Sequence, residues 1–182
     1  MELETKHFGS IEIEDEKIIS FPDGIPGFEE NNRFILLQNP DEEIPFHWLQ
    51  STAHPELAFV VANPFLIRVD YDFQLPETAV NKLAIDQRED VQVFCIVRVP
   101  ENMQEMTINL VAPLVINTQT RLGKQVVLED GRYHTRHLVA DELAESNRLL
   151  QAANEEAAKE ASAQPENDPE TAPNLTVVKG GE

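Results

Sequence analysis

Short apolar runs separated by polar turns make up most of residues 1–138. The runs are rich in Val, Ile, Leu and Phe, and several alternate apolar with polar side chains, as strands with one buried face do. Pro, Gly, Asn and Asp, which favour turns, stand between the runs. The pattern predicts strands over residues 2–7, 11–14, 17–21, 33–38, 46–51, 57–62, 69–74 and 91–99.

One short helix is predicted among these strands, over residues 76–83. Pro76 suits a first helical position, because its φ is already close to helical and no N–H is needed there. The run over residues 91–99 differs from the others because it is nearly all apolar, which predicts a central strand covered on both faces. We expect Cys95, in its middle, to be a buried and inert thiol.

Residues 106–128 form the most distinctive stretch, a hairpin-like unit with defined breaks. Pro113 interrupts it, because proline has no N–H for strand pairing. Residues 117–123 make a polar turn that ends in Gly123, a residue free to adopt a positive φ. Residues 126–128 are predicted to return as another strand. A second tight loop covers residues 22–30, where Ile25 and Phe28 are expected to fold back onto the core.

These elements predict an all-β fold, mainly antiparallel, in the form of a small β-barrel or sandwich with one short helix. This domain covers residues 1–140. Residues 141–182 form an acidic C-terminal extension: an Ala- and Glu-rich, mostly solvated helix over residues 141–163, then a proline-rich tail that we expect to be disordered.

Acidic residues outnumber basic ones by 33 to 14, which gives a net charge of −19. Residues 1–140 carry 23 acidic and 11 basic side chains, a net charge of −12, and residues 141–182 carry 10 and 3, a net charge of −7. Such a surface repels phosphate backbones, which argues against direct nucleic-acid binding. It would attract a basic protein, although acidic surfaces also simply keep proteins soluble.

Several absences point to a cytoplasmic protein. No run of 18 apolar residues occurs, so we expect no transmembrane helix and no membrane partner. The first 14 residues lack the basic and apolar segments of a signal peptide. The single cysteine cannot form an internal disulfide.

No sequence motif points to catalysis or to a bound cofactor. Neither a G-x-S-x-G nucleophile elbow nor a glycine-rich phosphate loop occurs. His134 and His137 stand three residues apart, but the other histidines are scattered and provide too few ligands for zinc. We therefore predict no catalytic residue, no metal and no cofactor, and we expect His137 to cap or pair locally.

An ordered set of segments resembles the FliW family of flagellar assembly factors. These segments are FGSIEIEDEKIISFPDGIPGFEE, FHWLQS, LAFVVANPF followed by VDYDFQL, MTINLVAPLVIN with TRLGKQVVL, and YHTRH. The resemblance extends from Met1 to about Leu138 and leaves residues 141–182 outside. Two departures are Asn63, where family members often have Asp, and Val69, where they often have Pro.

The resemblance implies a non-catalytic protein that binds newly made flagellin. When flagellin is scarce, such a protein binds the translational regulator CsrA and relieves its repression of flagellin mRNA. The implied protein is a cytoplasmic partner switch, and we expect it to be a monomer when free. The competing interpretations are a ligand-binding β-barrel or an enzyme with an internal pocket, and a general chaperone-like holder of many clients.

We expect partner contacts at two places in the chain. The first is Phe65, Asp70, Tyr71 and Phe73, and the second is Asn109, Leu110, Ala112, Pro113 and Asn117. The alternative role for Tyr71, Phe73 and Leu110 is in the core. For Asn109 and Asn117 it is turn capping. Asp70 would lie on an acidic stripe that either docks a basic partner or is simply solvated.

Overall fold

The structure is a computed structural model that describes residues 2–41 and 44–163. Eleven strands and three α-helices lie within these ranges. The strands are β1 Glu2–Thr5, β2 Gly9–Glu12, β3 Ile18–Ser20, β4 Arg33–Leu37, β5 Phe46–Ser51, β6 Ala58–Ala62, β7 Val91–Arg98, β8 Thr107–Ile108, β9 Leu114–Asn117, β10 Gly123–Gln125 and β11 His137–Leu138. The helices are α1 Pro64–Ile67, α2 Glu77–Lys82 and α3 Val139–Ala163. None of the described helices is long and apolar enough to cross a membrane.

Nine strands form one antiparallel sheet that closes into a barrel. Its main path runs in the order β10-β9-β7-β6-β5-β4-β3, while β8 pairs with β7 and with β11. The two ends of this path meet where the Ser20 amide donates to the Arg121 carbonyl at 2.8 Å. Strands β1 and β2 form a separate hairpin. The predicted all-β, antiparallel, barrel-like fold is confirmed.

Strand β7 lies at the centre and is covered on both faces, as its apolar sequence predicts. Phe94 belongs to the barrel interior, together with Leu49, Val61, Leu114 and Ile116. Cys95 and Val97 face the opposite way, into a second core that holds the start of α3. Cys95 is fully buried, and burial raises the pKa of its thiol to about 12, which makes the thiol inert.

The turn between β9 and β10 differs from its prediction in one respect. Arg121, not Gly123, takes the positive φ, at 58°. Gly123 is required for another reason: a Cβ there would lie 2.6 Å from the Phe21 ring. Nearby, Ile25 is buried, which confirms that the proline-rich loop folds onto the core. Phe28 in the same loop stays 40% exposed and packs edge-on against Phe59.

The predicted strand over residues 69–74 is wrong. The alternation is present, because Tyr71 is buried and Phe73 half-buried between exposed neighbours. However, none of the strands in the described residues pairs with the segment, and Val69 is 42% exposed. Periodicity describes which face of a segment is buried, but it cannot show whether a neighbour offers hydrogen bonds. The helical turn α1 just before this segment was not predicted.

The strand predicted over residues 126–128 begins earlier, since β10 covers Gly123–Gln125. Beyond it, the amides of Val126 and Leu128 donate to the carbonyls of Pro113 and Val111, at 2.9 and 2.8 Å. These two bonds keep the β9–β10 register, in which Gln125 lies opposite Leu114. Residues 126–128 therefore continue the edge of the sheet, and within the described part of the chain their backbone hydrogen bonds lie on one side only.

Both predicted helices are present. Helix α2 matches the prediction over residues 76–83, although Pro76 is its N-cap and not its first helical residue. Helix α3 extends the prediction over residues 141–163 by starting at Val139. From residue 147 onward it is exposed except at Leu149, as expected of a mostly solvated helix. The predicted disordered tail lies outside the described residues.

Candidate partner-binding site

An exposed apolar corner projects from the barrel at α1. The Asn63 side chain accepts a hydrogen bond from the Phe65 amide at 3.0 Å, and Pro64 takes the first helical position. Ile67 points inward and is fully buried. Phe65 and Leu66 point outward and are 42% and 64% exposed. A capped, proline-started turn therefore holds two large apolar side chains in water.

Val69 and Asp70 follow directly and extend this corner. Val69 is 42% exposed, and the Asp70 carboxylate accepts a hydrogen bond from the Arg68 guanidinium at 2.9 Å. We call Phe65, Leu66, Val69 and Asp70 the apolar–acidic face. A group of exposed apolar side chains with a polar group at its rim is typical of a protein-docking surface.

Tyr71 anchors this face from below. Its hydroxyl donates to the Leu110 carbonyl at 2.8 Å, which joins the two places where partner contacts are predicted. Its ring centroid lies 5.6 Å from that of Phe65 and 5.5 Å from that of Phe73. Tyr71 is only 3% exposed, and burial raises the pKa of its phenol. The structure thus gives Tyr71 the alternative role of a core side chain.

Tyr133 packs beside Tyr71, and the guanidinium groups of two arginines lie over its ring. Its ring centroid lies 4.8 Å from that of Tyr71, and Arg68 and Arg132 lie 5.2 and 5.1 Å from its ring. The Tyr133 hydroxyl accepts from the Asp72 amide at 3.1 Å and donates to the Asp72 carbonyl at 2.9 Å. Tyr133 therefore fixes the backbone just after the apolar–acidic face.

The first turns of α3 hold the face from the other side. The Ser146 hydroxyl accepts from the Val69 amide at 3.0 Å and donates to the Ile67 carbonyl at 2.9 Å. The Glu142 carboxylate lies 3.6 Å from Arg68 and 2.6 Å from His137 Nδ1. Burial opposes the charge on Arg68, but the hydrogen bond that Arg68 donates to Asp70 and the charge of Glu142 leave the Arg68 pKa above its ordinary value.

The residues of the second predicted place are mostly inside the molecule. Leu110, Ala112 and Pro113 are buried, with Leu110 fully so. The half-buried Asn109 accepts a hydrogen bond from the Ala112 amide at 3.2 Å, as in a capped turn. The structure places none of these four on the apolar–acidic face, and Leu110 reaches it only through Tyr71.

Asn117 lies at the end of β9 and is 1% exposed. Its side-chain amide donates to the carbonyls of Leu83 and Ala84, at 3.0 and 2.9 Å. Its side-chain oxygen accepts from the amides of Gln119 and Thr120, at 2.8 and 3.2 Å. These four bonds give Asn117 the turn-capping role that the sequence left open.

An open groove lies beside the apolar–acidic face and has a volume of about 730 Å³. Residues 72–76 and residues 127–130 line it, together with Arg132. Arg132 ties these two segments together, because its guanidinium lies 2.7 Å from Asp72 and 2.6 Å from Asp130. The hydrogen bond from Arg132 lowers the pKa of Asp130. The groove contains Phe73, the one predicted contact residue that lines it.

The two histidines that stand three residues apart pair with each other. The His134 and His137 rings are stacked with centroids 3.6 Å apart, and His137 Nε2 accepts from the His134 amide. His137 Nδ1 lies beside Glu142, so both ring nitrogens are engaged. Within residues 2–41 and 44–163, no three His, Cys, Asp or Glu side chains are grouped for a metal ion.

Sequence reasoning missed four side chains that shape this region: Leu66, Arg68, Tyr133 and Ser146. Leu66 carries a local signal, an apolar pair in a proline-started turn. Tyr133 and Ser146 carry none, because their partners are distant in sequence: Ser146 and Ile67 are 79 residues apart, and Tyr133 and Asp72 are 61 apart. Arg68 has one near partner, Asp70, but Glu142 and Tyr133, which it also contacts, are distant.

A sequence model of one protein family, described as FliW protein, matches residues 2–139. Several curated relatives are named flagellar assembly factor FliW. One from Alkaliphilus metalliredigens is 55% identical over 143 residues, which is 79% of this chain and 88% of that protein. Another, from Bacillus pumilus, is 40% identical over 139 residues, which is 76% of this chain and 96% of that protein.

A solved structure has the same fold. It is described as the crystal structure of the flagellar assembly factor FliW, and it superposes with a TM-score of 0.71 at 40% sequence identity. The alignment covers 76% of this chain and 96% of the crystallised one.

Proposed function

This chain belongs to the FliW family, and we propose that it is a non-catalytic flagellar assembly factor that acts by binding other proteins. The observation that carries the proposal is the family match over residues 2–139, which spans every strand of the barrel. Its partners in this proposal are flagellin and the translational regulator CsrA. The protein binds CsrA when flagellin is scarce and thereby relieves repression of flagellin mRNA.

Competition by mass action would make this switch work. Each partner stabilises its own complex by RT ln(1 + [L]/Kd), where [L] is the free partner concentration. Newly made flagellin would occupy the protein until that flagellin is used in assembly. The protein then released would be available to CsrA. We place both encounters in the cytoplasm, with this chain entering them as a monomer.

The apolar–acidic face supports protein binding as the activity. Phe65, Leu66 and Val69 keep large apolar areas in water, and burying such a side chain contributes about 1.5–3 kcal/mol. Asp70 adds negative charge beside them on a chain of net charge −19. A basic partner with an apolar patch would therefore find both attraction and area to bury.

Direct binding is the first test of the proposal. The purified protein is mixed with monomeric flagellin, with CsrA, and with an unrelated unfolded client, and each mixture is analysed by size-exclusion chromatography with light scattering. We expect a defined complex with flagellin and with CsrA, and none with the unfolded client. Equal, weak binding to all three would favour a general chaperone, and no complex with either named partner would refute the proposal.

Asp70→Lys tests whether the apolar–acidic face contacts CsrA. Asp86→Lys is the matched control, because Asp86 is also exposed and the change in net charge is the same. At an ionic strength of about 50 mM, we expect Asp70→Lys to weaken CsrA binding about tenfold and Asp86→Lys about twofold or less. Equal losses would mean that only the overall charge matters, and the face would lose its role.

A further inference from the structure

Two extended segments, residues 73–75 and 127–129, line the same groove, and in the described part of the chain neither is paired with a strand on the side that faces the groove. Residues 73–75 continue the alternation that predicted a strand, with Phe73 and Leu75 half-buried. The backbone groups of these three residues form no hydrogen bond to any described part of the chain. Across the groove, residues 127–129 extend the edge of the barrel sheet beyond β10.

The hydrogen-bonding direction of the second segment is fixed by its neighbours. The amides of Val126 and Leu128 donate inward, to the carbonyls of Pro113 and Val111. Because successive N–H groups of an extended chain point to opposite sides, those of Val127 and Glu129 point away from the sheet. Neither amide has a partner in residues 2–41 or 44–163. This edge is open to one more strand.

The groove also has the chemistry to receive side chains. Its apolar surface comes from Phe73, Leu75 and Val127, the last of which is 67% exposed. Three acidic side chains line the groove, Asp72, Glu129 and Asp130, together with one basic side chain, Arg132. A strand placed here would meet apolar surface at alternate positions and an excess of negative charge at the rim.

We propose that this groove binds one extended segment of a protein partner by adding it as a strand to the edge at Val127 and Glu129. The segment carries apolar side chains at alternate positions and at least one basic residue. Main-chain hydrogen bonds would provide affinity, and the apolar surface would select the sequence. The identity of the partner rests on the proposed function, in which flagellin supplies this segment.

Val127→Pro is the direct test. Proline removes the outward N–H and breaks no existing hydrogen bond, since the inward bonds belong to Val126 and Leu128. Val127→Thr is the matched control, because it keeps the N–H and the β-branched shape. We expect Val127→Pro to weaken flagellin binding about tenfold, from one lost hydrogen bond and the clash of the ring with an added strand, and Val127→Thr about twofold or less.

A second measurement on the unaltered protein does not depend on how the variant folds. Hydrogen–deuterium exchange, resolved to single amides, compares the free protein with its flagellin complex. We expect the amides of Val127 and Glu129 to exchange at least about tenfold more slowly in the complex, because new main-chain bonds protect them.

Each contrary result has its own meaning. If flagellin binds but both amides exchange as before, or if Val127→Pro binds as well as Val127→Thr, strand addition is wrong and the proposed function survives. If flagellin does not bind at all, the proposed function and this inference both fail. If the free protein dimerises and Val127→Pro abolishes the dimer, the edge belongs to a second copy, which also overturns the inference.

Discussion

At the scale of single residues, a side chain that the sequence predicts as a partner contact can instead stabilise the fold. Tyr71 bonds the Leu110 carbonyl from a position only 3% exposed, while its ring supports Phe65 at the surface. Asp70, one residue earlier, is exposed. Neighbouring residues of one segment thus divide between a buried supporting position and an exposed one, because adjacent side chains of an extended segment point in opposite directions.

Asn117→Ala is expected to destabilise the protein without touching a partner surface. The substitution removes four hydrogen bonds and leaves the Ala84 carbonyl and the amides of Gln119 and Thr120 without these partners, whereas the Leu83 carbonyl keeps the Thr120 hydroxyl. We therefore expect a loss of about 2–4 kcal/mol in the free energy of unfolding. Asn109→Ala, which removes a single bond at a half-buried site, should cost about 1 kcal/mol or less. Urea unfolding measures both. Equal costs would contradict the capping role of Asn117.

His137 makes the stability depend on pH. Burial lowers the pKa of His137, the hydrogen bond with Glu142 opposes this only in part, and the electrostatic effects of His134 and Arg68 lower the pKa further. Because the folded-state pKa is depressed, the unfolded chain binds the proton first as pH falls. The contribution is therefore present above about pH 6.5, the unfolded value, and is lost below it.

We expect unfolding free energy to fall by up to about 1 kcal/mol between pH 7.5 and 5.5, and by less in His137→Gln. His134→Gln, which alters the exposed partner of the stacked pair, should reduce the dependence less than His137→Gln does, because it removes only the smaller effect of His134 on the His137 pKa. His47, whose pKa burial also lowers, contributes in all three proteins, so their difference isolates His137. Identical pH profiles in all three would contradict this assignment.

At the scale of elements, the pattern of apolar and polar residues predicts the strands whose formation depends mainly on that local pattern. The strands β4, β5, β6 and β7 lie within a residue or two of their predicted bounds, because alternating or continuous apolar runs between turn residues leave few alternatives. The segment over residues 69–74 fails for a different reason. Its alternation is real, but pairing needs a neighbour whose position is decided by the whole sheet. The candidate site combines residues up to 79 apart, and single-sequence reasoning could not assemble it.

The start of α3 is expected to contribute stability that its exposed end does not. Ser146→Ala removes a hydroxyl that bonds both Val69 and Ile67 and leaves those groups without partners. We expect it to lower the free energy of unfolding by about 1–3 kcal/mol. Ser162→Ala on the same helix, where the hydroxyl bonds only the Lys159 carbonyl at the surface, should change it by about 0.5 kcal/mol or less. Similar effects at the two positions would contradict docking through Ser146.

At the scale of the whole molecule, a filled barrel presents two different surfaces close together. The barrel interior is packed with large side chains such as Phe34, Leu49 and Leu114, each 1% exposed or less. The apolar–acidic face and the groove lie outside it, joined through the rings of Phe65, Tyr71 and Phe73. This arrangement fits a protein that works through its exterior, and it brings two proposed binding surfaces within one cluster of aromatic contacts.

The net charge of −12 over residues 1–140 adds long-range attraction for a basic partner. Such attraction acts mainly on the association rate and weakens as salt increases. The charge therefore favours encounter with CsrA in the proposed switch, while the apolar contacts would hold the complex together.

The central claim is that flagellin and CsrA exclude each other from this protein, and calorimetric titration tests it most directly. CsrA is titrated into the free protein and then into protein saturated with monomeric flagellin. We predict sub-micromolar binding in the first titration and no detectable heat of binding in the second, because the groove proposed for flagellin adjoins the face proposed for CsrA through Phe65, Tyr71 and Phe73, so that one bound partner would obstruct the other. CsrA binding of the same affinity in both titrations would contradict the switch.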